Sequence, residues 1–114
     1  MSDQEFKGLN PKSKAGESIF FYSMDYWIGL CECIRMVYEE SFPPYVSMDE
    51  ENAGYVAEAL QRRLDYGLFK AYFEHSASKV FDDERDAAGY AETMLDYAVQ
   101  FIEFLKNCGG CEPV

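Results

Sequence analysis

The sequence predicts an all-α fold: a compact helical bundle of three long helices plus one or two short ones, with the third long helix central. Three observations carry this expectation. Apolar residues recur with a helical period of 3.6 wherever a period can be read. Breakers separate the periodic stretches, and no internal repeat interrupts them. No stretch shows convincing strand alternation. At 114 residues, 48% hydrophobic and 17% aromatic, the chain is long enough for one domain with a real core.

Residues 1–18 are polar, with two Gly, one Pro and three Lys, and read as a flexible N-terminal arm. Residues 19–114 read as a single helical domain, its packed part beginning at Phe20, Phe21 and Tyr22. The first long helix is expected from about Met24 to Glu40, with Ser23 as N-cap and Asp25 in the first turn. Trp27, Leu30, Ile34 and Val37 fall on its apolar half, and Pro43 and Pro44 in SFPPY stop it.

The second helix is expected to start at the capping-box pattern Ser47-Met48-Asp49-Glu50, with Val46 as a hydrophobic staple. Ala53, Val56, Ala57, Leu60 and Leu64 then recur at helical spacing, and Gly67 closes the helix. Residues 68–80, LFKAYFEHSASKV, stay open between a short helix and a partly extended connection. The third long helix runs from about Asp83 to Asn107. Ala87, Ala91, Met94, Ala98, Phe101 and Leu105 form its stripe, and Tyr90, Leu95, Tyr97, Ile102 and Phe104 widen it past half the circumference. So broad an apolar face calls for neighbours on both sides, hence the central position.

Charge narrows function. The formal net charge is -11, from 21 acids and 10 bases. Such a field repels nucleic acid and anionic membrane surfaces, favours basic partners and keeps a protein soluble. Direct nucleic-acid binding and membrane association are therefore not expected. No apolar run reaches the roughly 18 residues of a membrane span, and the first residues lack the apolar core of a secretory signal. A cytoplasmic location is the expectation.

The chemical motifs are sparse. Cys31-x-Cys33 and Cys108-x-x-Cys111 supply enough thiols for zinc. However, two residues turn a helix by about 200°, so Cys31 and Cys33 point to opposite edges of the apolar face. They read as small core residues. Reactive Cys-x-x-Cys pairs sit at helix N-termini, where the dipole lowers a thiol pKa, whereas Cys108 closes a helix. The single histidine, His75, has no catalytic company, and no phosphate loop, nucleophile elbow or HExxH occurs. The DDERD cluster from Asp82 to Asp86 lacks the glycine and terminal Glu of a calcium loop and reads as helix N-terminal charge. No catalytic residue, metal ligand or cofactor is assigned, and the chain reads as a non-enzyme.

The remaining constellation is a surplus of carboxylates and tyrosines where the first helix ends and the second begins. Tyr38, Glu39, Glu40, Tyr45, Asp49, Glu50, Glu51, Tyr55 and Glu58 form the expected partner-binding set. Carboxylates with tyrosines suit the grip of a basic protein surface; a plain solvated face has the same composition.

Three segments carry a resemblance: MDYWIGLCECI, YVSMDEENAGYVAEALQRRL and FIEFLKNCGG. In that order they resemble a loose group of small, acidic bacterial helical proteins, some of immunity-protein type. The resemblance implies a mostly helical, non-enzymatic protein that binds a partner. The leading expectation is thus an acidic binding protein that neutralises a basic protein, such as a toxin or a nucleic-acid-binding protein, in the manner of an immunity protein. A phage-type inhibitor or nucleic-acid mimic is the alternative, and a small zinc-binding protein the third.

Overall fold

The start of the chain overturns the all-α expectation. In a computed structural model describing residues 4–38 and 47–114, β1 (Gln4–Gly8), β2 (Ser18–Phe21) and β3 (Cys111–Pro113) form an antiparallel sheet in the order β2-β1-β3. The segment read as a loose arm thus supplies the central strand. Phe6 explains why: its ring is fully buried and lies 4.8 Å from that of Trp27. Burying one such side chain is worth about 1.5–3 kcal/mol, enough to hold a short segment whose backbone is also paired.

The ladder fixes which way each backbone group points. Gly8 donates to the Glu17 carbonyl (2.9 Å) and Val114 donates to the Glu5 carbonyl (3.0 Å). Even-numbered residues of β1 therefore bond to β2, and odd-numbered ones to β3. Phe6 faces Ile19, and Gln4 faces Phe21. By the same alternation Ser18 and Phe20 turn their N–H and C=O groups away from β1.

Four helices complete the described fold: α1 (Met24–Tyr38), α2 (Glu50–Asp65), α3 (Leu68–Val80) and α4 (Glu84–Asn107). The Ser23 hydroxyl accepts from the Asp25 N–H (3.1 Å) at the start of α1. Trp27, Leu30, Cys31, Cys33 and Ile34 are buried beyond it. The expected stop at SFPPY and the staple at Val46 lie outside the described residues.

The start of α2 differs from the expected capping box. Its cap is Asp49, whose carboxylate accepts from the Asn52 N–H at 2.8 Å. Met48 is engaged in a β-bridge with Cys111, so the chain stays extended until Asp49 (ψ 175°) and a cap at Ser47 is two residues too early. Gly67 ends this helix in the left-handed region (φ 79°) and opens the next. The ambiguous segment is one continuous helix, α3, which buries Phe69, Phe73 and Ala77 at spacings of four.

At α4, Asp83 caps by accepting from the Arg85 N–H (2.7 Å). This helix buries Ala91, Met94, Tyr97, Ala98, Phe101, Ile102, Phe104 and Leu105, and it packs on α1, α2, α3 and β2. Sheet and helices meet in one aromatic cluster. Trp27 lies 5.0 Å from Phe21 and 5.3 Å from Phe101, ring centre to ring centre.

Candidate functional site

The α2 half of the expected acidic patch is formed by the outer face of that helix. Glu51, Tyr55 and Glu58 follow one another at spacings of four and three, so they share one face, and all are exposed. Tyr55 is 67% exposed, which leaves its ring available to a partner. Two other members already have local duties. Asp49 caps its helix, and Glu50 lies 3.7 Å from the Lys12 ammonium in an exposed ion pair. The side chain of Tyr38, together with Glu39, Glu40 and Tyr45, lies outside the described residues. Arg62 continues the exposed stripe one turn beyond Glu58.

The cysteines are all free and buried. Burial pushes the Cys31 and Cys33 thiols up to about 12, with the Glu32 carboxylate adding to the effect at Cys31. The neighbouring Cys111 side chain lowers the Cys108 thiol to about 7 against the opposing effect of burial, while Cys108 and burial push Cys111 up. The Cys108 thiol donates to the Leu105 carbonyl (3.5 Å). No group of three or more His, Cys, Asp or Glu capable of holding a metal ion occurs among the described residues, so the two cysteine pairs do not converge into one ligand set. His75 is exposed on α3.

What the Cys108-Gly-Gly-Cys111 segment does is tie backbone together. Asn107 and Cys108 carbonyls accept from Lys12 (2.7 Å) and Asn10 (3.0 Å), and the Gly110 carbonyl accepts from Leu9 (2.8 Å). Cys111 exchanges two bonds with Met48, at 2.9 and 3.0 Å. Gly109 (φ 64°) must be glycine: a Cβ there would collide with the Asn10 carbonyl oxygen.

A feature missed in the sequence lies between β2 and α4. A groove of about 870 Å³ opens there, within the usual range of ligand clefts. Ser18, Phe20 and Tyr22 line its strand side, and Thr93, Asp96, Gln100 and Glu103 its helix side. Tyr97 lies at its base, its hydroxyl 3.5 Å from the Tyr22 N–H and its ring 5.4 Å from that of Tyr26. Phe20 and Tyr22 meet edge to face at 5.2 Å and are 39% and 77% exposed. The Asp96 carboxylate accepts from Gln100 (2.7 Å), and Glu103 accepts from Lys106 (3.1 Å). The signal for this groove was the short apolar run Ile19-Phe20-Phe21-Tyr22 between two serines, which is strand-like in length and composition.

No family model, curated protein or solved structure matches the chain. Its activity has to be argued from its own surface. Among the described residues, no helix is long and apolar enough to cross a membrane.

Proposed function

We propose that this protein is a non-enzymatic acidic binding protein that engages and neutralises a basic protein partner, in the manner of an immunity protein. The observation that carries the proposal is the exposed Glu51–Tyr55–Glu58 face of α2 on a chain of net charge -11. The overall field accelerates encounter with a basic surface and disfavours acidic competitors. The carboxylates then set the register, and a largely exposed tyrosine supplies rigid contact area at low entropy cost. Occlusion of a basic active site follows from bulk, without chemistry by this chain. The thiols are buried and the histidine stands exposed on α3, so no chemical role is assigned to them.

A nucleic-acid mimic needs a continuous row of carboxylates. On α2 that row is interrupted by Tyr55 and continued by the cation Arg62, which favours the protein-partner reading. The test is capture on immobilised protein at low salt. The expected partner is basic and is released when salt reaches about 0.5 M, where the screening length falls to a few ångströms. Glu51→Lys/Glu58→Lys lowers its association rate at least about tenfold. Capture that ignores both salt and the double reversal sinks the proposal.

A further inference from the structure

We propose that the groove between β2 and α4 takes an extended, basic segment of a protein partner as a fourth strand of the sheet. The inference rests on the basic-partner reading above and assigns it a second site and a binding mode. Three observations converge on it.

The first is the open ladder. Ser18 and Phe20 point N–H and C=O groups away from β1, and no described residue bonds to them. Two residues along a strand is about 6.6 Å, the repeat at which an added strand presents its own matching groups. The second is the shape beside that edge. An incoming strand finds α4 on its far side, with Tyr97 beneath and Phe20 and Tyr22 on the near rim. Alternate side chains of the added strand would enter the groove and the rest would face solvent, as strand geometry requires.

The third is charge. The ionised side chains lining the groove are the carboxylates Asp96 and Glu103. Lys106, the cation nearest to Glu103, is already shared between Glu103 and Gln61. Exposed aromatic rings with carboxylates on the facing wall suit lysine and arginine, through ion pairing and cation–π contact. A second copy of this chain would bring the same two carboxylates and another net charge of -11 to the edge. Like-charge repulsion therefore disfavours self-pairing and favours the basic segment.

The experiment uses the full chain, isotope-labelled, and an end-blocked peptide of alternating lysine and valine. Amide hydrogen exchange is followed by NMR as the peptide is added. The Ser18 and Phe20 amides are expected to slow at least about tenfold, since they gain partners. An alternating glutamate–valine peptide is expected to leave them unchanged. Methylating every second peptide nitrogen of the lysine–valine probe, or Asp96→Lys/Glu103→Lys in the protein, is expected to weaken binding at least about tenfold while the circular dichroism and urea midpoint hold.

Binding that protects the Glu51–Glu58 face but not Ser18 and Phe20 overturns the groove and leaves the basic-partner reading standing. No binding of the lysine–valine peptide at millimolar concentration overturns the groove as well, and salt-sensitive capture through α2 then tests the broader reading by itself. Sedimentation as a dimer, with Ser18 and Phe20 protected in the absence of peptide, assigns the edge to a second copy and overturns it too.

Discussion

At the β3 edge of the sheet, the outward N–H and C=O of Cys111 are both taken by Met48, and the next outward position is Pro113, which has no N–H to offer. At the β2 edge, Ser18 and Phe20 present both groups beside an aromatic groove, with neither proline nor lysine in the strand. Exposed edges template pairing with other chains, and proteins ordinarily blunt them. Here one edge is blunted twice over and the other is left free. Retaining a free edge next to a shaped, charged groove is how a sheet remains able to accept a strand. The motif with the most chemical look, Cys-Gly-Gly-Cys, belongs to the closed edge, and the plain apolar run belongs to the open one.

The comparison can be broken by mutation, and the largest expected effect lies inside β2 itself. Phe21 is fully buried, so Phe21→Ala should cost about 3–5 kcal/mol in urea unfolding. Its neighbour Phe20 points the other way and is 39% exposed, so Phe20→Ala should cost less, about 1–2 kcal/mol, while weakening any strand docked in the groove. Equal losses at the two positions would mean that Phe20 is structural and the edge is not free.

Next in size is the closed corner. Gly109→Ala places a methyl against the Asn10 carbonyl at a positive φ, and a loss of about 3 kcal/mol is expected from the urea midpoint. A loss below about 1 kcal/mol would show the corner to be loose.

The core thiols sharpen the comparison through pH. Cys31 and Cys33 have folded pKa values raised to about 12 from an ordinary 9.0. Their contribution is therefore fully present below pH 9 and lost as pH rises toward 12. Cys108, lowered to about 7, contributes in the opposite sense: its part is present above 9 and lost as pH falls through 7. Between about pH 8 and 10.5 stability is expected to fall, because Cys31, Cys33 and Cys111 are all raised and Cys108 alone opposes them. Cys31→Ala/Cys33→Ala should show a shallower fall in the same titration of urea midpoints. An unchanged slope would refute the assignment to these two thiols.

The smallest effect concerns the ion pair between β1 and β3. Lys7 and Glu112 lie 3.2 Å apart but are about half exposed. Lys7→Ala should shift stability by no more than about 0.5 kcal/mol. A larger loss would mean that charge, rather than the backbone ladder, holds β3 to β1.

α1, α2 and α4 are legible in the sequence because each repeats a 3.6 pattern over several turns, whereas α3 stays open between a helix and an extended connection, its buried residues being only Phe69, Phe73 and Ala77. The α4 stripe from Ala91 to Leu105 is an example: each of its buried residues can be read off by spacing alone. The strands have three to five residues and leave no such record. β1 carries a single large apolar residue, Phe6, flanked by Glu5 and Lys7. In β2 the outward Phe20 is as apolar as the inward Ile19 and Phe21, so the alternation that marks a half-buried strand is erased. The residue that hid the strand is also the one that lines the groove. Part of the proposed binding surface is legible as composition: Glu51, Tyr55 and Glu58 belong to the set the sequence singles out, and all three are exposed.

By itself the sequence determined local matters: helical period, the turn at Gly67, the cap at Ser23 and the sign of the field. These depend on neighbours a few residues away. Only the tertiary structure decided that Gln4–Gly8 lies between Ser18–Phe21 and Cys111–Pro113, that Met48 delays the start of α2, and that the free side of β2 faces α4. Each joins segments far apart in the chain. Their pairing is settled by which backbone groups remain to be bonded once the aromatic core has closed around Phe6, Trp27 and Phe101, and no local pattern encodes that.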